Sequence, residues 1–293
     1  MPNTTIVVLL SLAAALAFAL SSSLKHVSAG HVPDAQSMHP IKLVTFVRAT
    51  VTHRLWLAGI GCDIVGLSLQ TIALHLGALS VVQFLLLSSL LFALILRGRF
   101  AHHHITRRQS VWAVLLTVSL AGFLLLAKPV ASGSENPDPP AAFVAGAVAV
   151  GITVLCIVLA RRQRNAARAA ALLGVAVGVL YATTAALLKA VTNIATEGLL
   201  AVLLSWPLYA LITLGVAGML LAQLTFQAGP LTASLPATAS TDPLLSLAFG
   251  VLVYHERIQD GPGTALILAL LLVILVTAVV QLSRIPDGPG AAP

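Results

Sequence analysis

The chain has 293 residues, 58% of them hydrophobic and only 9% charged, with a mean hydropathy of +1.00. A soluble domain carries roughly a quarter charged residues, and its apolar runs do not reach the ~18 residues that read as membrane-spanning. This composition therefore excludes a soluble globular fold and predicts an all-α polytopic membrane protein, with the lipid bilayer as its first partner. The formal net charge of +7 would suit a nucleic-acid binder. Here the basic residues lie in short connections between apolar runs, where they orient a chain in the bilayer, so no nucleic-acid partner is expected. Cys62 and Cys156 fall inside apolar runs, with neither disulfide nor metal-ligand spacing.

Nine spans are predicted, at 4–24, 55–75, 79–97, 110–127, 142–160, 169–190, 204–227, 231–252 and 263–283. The first is apolar and Ala-rich like a signal peptide, but Met1 to Thr5 carries no positive charge. It also has an internal echo. LSSSLKHV at 20–27 aligns with TAALLKAV at 184–191, matching Lys25 to Lys189, so the segment is expected to be retained. The long connection 25–54 contains PIKLVTFVRATVTHR, apolar and basic together, and is expected to lie along the membrane surface.

Span two carries Asp63 near one end, on a face shared with Gly59, Gly66 and Gln70. That face reads equally as a pathway or as a hydrogen-bonded helix contact. Spans two and three form an apolar hairpin turning at Gly77, and spans seven and eight repeat it 152 positions later at Gly229. Gly66, Leu69, Gly77, Leu79 and Ser88 fall on Gly218, Leu221, Gly229, Leu231 and Ser240. His102, His103 and His104 are adjacent and cannot all face one ion from a helix, so they read as a solvated basic connection. Ala145, Ala149 and Thr153 share one face of span five and offer a small-residue surface for a homodimer.

Tyr181 in span six and Gln223 and Gln227 in span seven are further polar groups that need partners in hydrocarbon. Lys25 and Lys189, at the ends of spans one and six, are explained by snorkelling. Span eight is the chemically distinct one. Asp242 lies about eleven residues in, roughly 16 Å from its start and near the bilayer centre. Ser234, Thr238, Asp242 and Ser246 recur every four residues with Thr241 alongside, so they share a helix face. Pro236 and Pro243 each remove a backbone donor and free a carbonyl beside that stripe. The stripe reads as a substrate or ion pathway, or as close helix packing with Asp242 capping a kinked half-helix.

Charge fixes the orientation. Lys25, Lys42, Arg48, Arg54, Arg97, Arg99, Arg107, Arg108, Arg161, Arg162, Arg164, Arg168 and Arg284 place thirteen of the sixteen Lys and Arg on one side. Lys128, Lys189 and Arg257 remain opposite, beside Glu135, Asp138, Glu197, Glu256 and Asp260. A multi-pass cell-membrane protein is expected, with its amino terminus outside and its tail, 284–293, in the cytoplasm. Spans one to four (1–127) resemble spans six to nine (169–283), leaving span five (142–160) unpartnered within a single domain, 1–293. The offset of five spans inverts one copy relative to the other, as in duplicated transporters.

The stretch FQAGPLTASLPATASTDPLLSLAFGVLVYHE, with its fainter echo LQTIALHLGALSVVQ, resembles the drug/metabolite transporter superfamily in its EamA-like and NIPA-like branches. Asp242-Pro243 stands where that superfamily often has Glu-Pro, and Glu256 where it has a terminal Glu. Nine spans rather than ten is similar to the NIPA-like branch, and Asp in place of Glu shortens the reach by one methylene. The resemblance implies membrane transport without ATP hydrolysis and no particular substrate.

Three functions follow. A secondary transporter would export a small organic solute or drug, with Asp242 binding a proton or a cationic group. A divalent-cation permease would use Asp63 and Asp242 on a largely hydrated Mg²⁺. A membrane scaffold would transport nothing. No phosphate loop, paired nucleophile and base, or zinc motif is present, so neither an enzyme nor a cofactor is expected.

Overall fold

A computed structural model describes residues 2–29, 54–100, 106–127, 139–228, 231–256 and 264–284. The described residues are helical, with no strand among them. The helices are α1 (Pro2–Ala29), α2 (Arg54–Leu76), α3 (Leu79–Leu86), α4 (Ser88–Phe100), α5 (Arg107–Ala127), α6 (Pro139–Arg162), α7 (Ala166–Ile194), α8 (Leu199–Leu204), α9 (Trp206–Ala228), α10 (Leu231–Leu252) and α11 (Thr264–Arg284). Five of them, α1, α2, α5, α6 and α7, are long and apolar enough to cross a membrane. Most of the connection 25–54, the three histidines, Gly229 and most of the tail lie outside the described residues.

The third predicted span, 79–97, is two helices rather than one. Leu87 sits between them in a tight turn, its N–H bonding Phe84 O at 3.2 Å, while the Ser88 hydroxyl takes the Leu85 carbonyl. A side chain competing for a backbone carbonyl weakens the i→i−4 ladder. By contrast, α10 runs unbroken through both Pro236 and Pro243.

α7 is the centre of the bundle. Its small residues Ala170, Gly174, Ala176, Gly178, Ala182, Ala185 and Ala190 are buried, and it packs against α2, α6, α9 and α10. Apolar side chains gain little by leaving lipid for protein, so membrane helices associate through close contact and interhelical hydrogen bonds, which small residues permit. Asn165 starts α7 by accepting from the N–H groups of Ala167 and Arg168 at 3.0 and 3.2 Å. On the other side α1 packs on α2, α3 and α4, and α5 packs on α11.

α6 touches chiefly α7 and leaves Phe143, Val144, Val148, Val154 and Leu155 exposed. Its small face is not free for a dimer. Ala149 and Thr153 are buried, and Ala145 is packed into the core cluster that includes α7. The expected dimer surface is spent inside the protomer.

Candidate functional site

The central crossing of α7 and α10 holds most of the predicted pathway residues. A Cβ added at Gly174 would stand 2.5 Å from Ser234 O, and one at Gly178 would stand 2.7 Å from Thr241 Cβ and 2.9 Å from Thr238 O. The two backbones therefore touch along a glycine seam. Thr238 Oγ1 donates across it to Gly174 O at 2.9 Å. Ser234, Thr238 and Thr241 thus serve the packing that the sequence reading had set against a pathway role. Interhelical bonds of this kind average about 0.6 kcal/mol. Thr238→Val should cost about that much in a detergent unfolding titration, and a loss above about 2 kcal/mol would refute so small a role.

Asp242 remains available on the flank of this seam, half-buried within the protein. Ser246, fully buried one turn on, donates to its Oδ1 at 3.3 Å. Tyr181 of α7 lies close enough to feel the Asp242 charge. It is 38% exposed, and one edge of its ring lies against Gly218 of α9. The hydroxyls of Ser234 and Ser240 are buried with no hydrogen-bond partner. Pro243 is buried beside Asp242.

The other predicted residues are placed elsewhere. Asp63 is half-buried and Gln70 buried on α2, where a Cβ on Gly66 would meet the Phe18 ring of α1 at 2.8 Å. No substantial contact joins α2 to α10, so Asp63 and Asp242 are not brought together by a helix pair. Gln223 and Gln227 are on α9, but their side chains lie outside the described part of the structure. Gly77 makes the α2–α3 turn, and its need for glycine is spatial. A Cβ there would stand 2.6 Å from Val7 Cγ1 of α1.

A second polar cluster occupies the bundle end where α2, α7 and α10 finish and α3 begins. Lys189 is buried, 6% exposed, with Nζ 3.0 Å from Glu256 Oε1. It does not snorkel as expected of a lysine at the end of a span, because a carboxylate folds back over that end. Glu256, 3% exposed, also accepts from Leu79 N, from Ser80 N at 3.2 Å and from Ser80 Oγ at 2.6 Å. It therefore caps α3, whose own N-cap residue, Ala78, has no capping side chain. Tyr254 completes the cluster, its ring 4.8 Å from Lys189 Nζ and its hydroxyl donating to Ala186 O at 2.6 Å. The sequence suggests snorkelling for Lys189 and the superfamily's terminal Glu for Glu256, and does not pair the two. The absent capping residue at Ala78 was the signal that a partner must come from elsewhere.

Comparison with known proteins decides one point. The chain is 30% identical over 299 aligned positions to an uncharacterized protein of Corynebacterium glutamicum, covering 100% of this chain and 99% of that one. The chain belongs to that protein's family. The likeness runs end to end. No family model and no solved structure matches the chain.

Proposed function

We propose that this family member is a secondary transporter of the cell membrane, exporting small organic solutes or drugs by alternating access and without ATP. The observation that carries the reading is Asp242, a carboxylate kept in mid-helix beside Tyr181 and Ser246, where an ionisable group is costly unless it is used.

Nine spans in an inverted repeat are part of the proposal, and packing supports them. α1 packs on α2 and on α3 and α4, and α7 packs correspondingly on α9 and α10. The positive-inside orientation puts Gly77, Lys189 and Glu256 on the outer side, and the cluster of Lys189, Glu256 and the α3 start is consistent with that shared side.

The test uses purified protein in liposomes with a proton gradient and the organic cation ethidium. Wild-type protein should move ethidium against its gradient, and Asp242→Asn should slow it by about tenfold or more, the loss of one charge-assisted contact. Movement by Asp242→Asn at the wild-type rate would refute the role of the carboxylate.

A further inference from the structure

We propose that the groove between α4 and α5 is a binding slot for one anionic phospholipid of the inner leaflet, with its acyl chain between the helices and its phosphate at Arg107. This goes beyond the transport reading and holds whether or not the chain moves a solute.

The slot exists because two consecutive helices do not pack on each other. α4 leans on α1 and α5 leans on α11, with no substantial contact between α4 and α5. A groove of about 410 Å³ is left between them, with Leu91 and Ile95 on one wall and Ser110, Val114, Thr117 and Val118 on the other. Ile95, Val114 and Val118 are each more than half exposed. The two hydroxyls are spent on their own helix: Ser110 Oγ donates to Thr106 O at 3.2 Å and Thr117 Oγ1 to Ala113 O at 2.9 Å. A hydrophilic solute would find no free hydroxyl donor there, whereas a hydrocarbon chain needs none. The groove also has an inner end. Phe84 of α3 stacks on Phe123 of α5 with ring centroids 4.6 Å apart, in the same buried cluster as Leu87, Leu116 and Leu120, so α5 is covered beyond the groove. From Ser110 to Val118 the wall runs about 12 Å at 1.5 Å per residue, close to the ~15 Å depth of one leaflet.

Charge at the open end selects the head group. Arg107, Ser110, Val114 and Val118 are spaced three and four residues apart, so Arg107 continues the groove wall by one turn. It is exposed and has no ion-pair partner among the described residues. Arg108, also exposed, has Nη2 3.2 Å from Gln281 Oε1 of α11, a neutral amide that leaves its charge uncompensated. Arg97 and Arg99 stand in the last turn of α4, at the same end of the helix pair. No Asp or Glu occurs between Asp63 and Glu135, so neither helix nor the connection between them supplies a counter-charge. On the positive-inside orientation proposed above this end is cytoplasmic, where the leaflet's anionic lipids carry the missing charge. Arginine suits a phosphate by geometry too, since its planar fork can give two bonds to two oxygens. A zwitterionic lipid could seat its chain in the same slot but brings its own cation to the arginines.

The experiment measures lipid retention by native mass spectrometry of the full-length protein released from a neutral detergent. Dioleoylphosphatidylglycerol and dioleoylphosphatidylcholine are offered at equal concentration. The wild type is expected to hold one phosphatidylglycerol about fivefold or more tightly than phosphatidylcholine, the effect of one basic residue beside an anionic head group. Arg107→Gln should bring the two lipids level. Val114→Trp, at an exposed position, should fill the slot and weaken both by about tenfold or more. Val118→Trp tests the same wall should Val114→Trp fail to reach the membrane. Arg161→Gln, at an exposed arginine that ends α6 outside the groove, should change neither lipid. Equal loss in Arg161→Gln, or an unchanged result in Arg107→Gln or in the tryptophan variant, would mean lipid gathered by general positive charge and overturns the slot. A dimer that displaces phosphatidylglycerol would give the groove to a second copy of the chain and overturns it as well.

Discussion

Lys189→Met should destabilise the protein by about 3–5 kcal/mol, the loss expected when one partner of a buried ion pair is removed and the other keeps its charge. Methionine preserves the apolar stem along α7 and deletes only the ammonium, so the loss reports charge rather than packing. Glu256 would retain three donors from α3, but its charge would lose its only opposite partner among the described residues. The double variant Lys189→Met/Glu256→Gln should recover part of the loss, because an amide can still accept from Ser80 and carries no charge. Unfolding in mixed micelles, read as a double-mutant cycle, gives the coupling directly. A single-variant cost below about 1 kcal/mol would mean that water reaches the pair, as at a surface.

Gly174→Ala and Gly178→Ala should each cost about 1–3 kcal/mol, although alanine is the better helix former by about 1 kcal/mol. The atoms in the way are backbone oxygens and a β-carbon of α10, none of which can swing aside. The helices would have to part, losing the Thr238 bond to Gly174 O as they do. Gly146 and Gly151 on α6 serve as controls, since nothing lies within 4 Å of a Cβ at either. Alanine there should be neutral or stabilising in the same titration. Equal effects at both pairs of sites would show that propensity, not the crossing, decides.

The apolar elements were legible because lipid imposes one rule, that each span satisfy its own backbone. The predicted 231–252 coincides with α10, and 204–227 and 263–283 differ from α9 and α11 by one or two residues. The break at Leu87 was not legible, since one serine in an apolar run does not reveal which carbonyl its hydroxyl takes. The period of four in α10 placed Ser234, Thr238, Asp242 and Ser246 on one face, but a single helix cannot say what that face meets. The answer was in α7, where Gly174 and Gly178 keep the same period and receive Ser234, Thr238 and Thr241. Lys189 and Glu256 were hidden for a different reason. They are 67 positions apart in sequence, and their pairing depends on a reversal after Leu252 that no local pattern announces.

The cap on α3 also orders events during synthesis. Leu79 N and the carboxylate that receives it are separated by 177 residues. When α3 enters the bilayer its first amides have no acceptor, and Lys189 has no counter-charge when α7 follows. Neither meets its native partner until the end of α10 has been made. A nascent chain that has not reached Glu256 lacks both the native acceptor for Leu79 N and the counter-charge for Lys189.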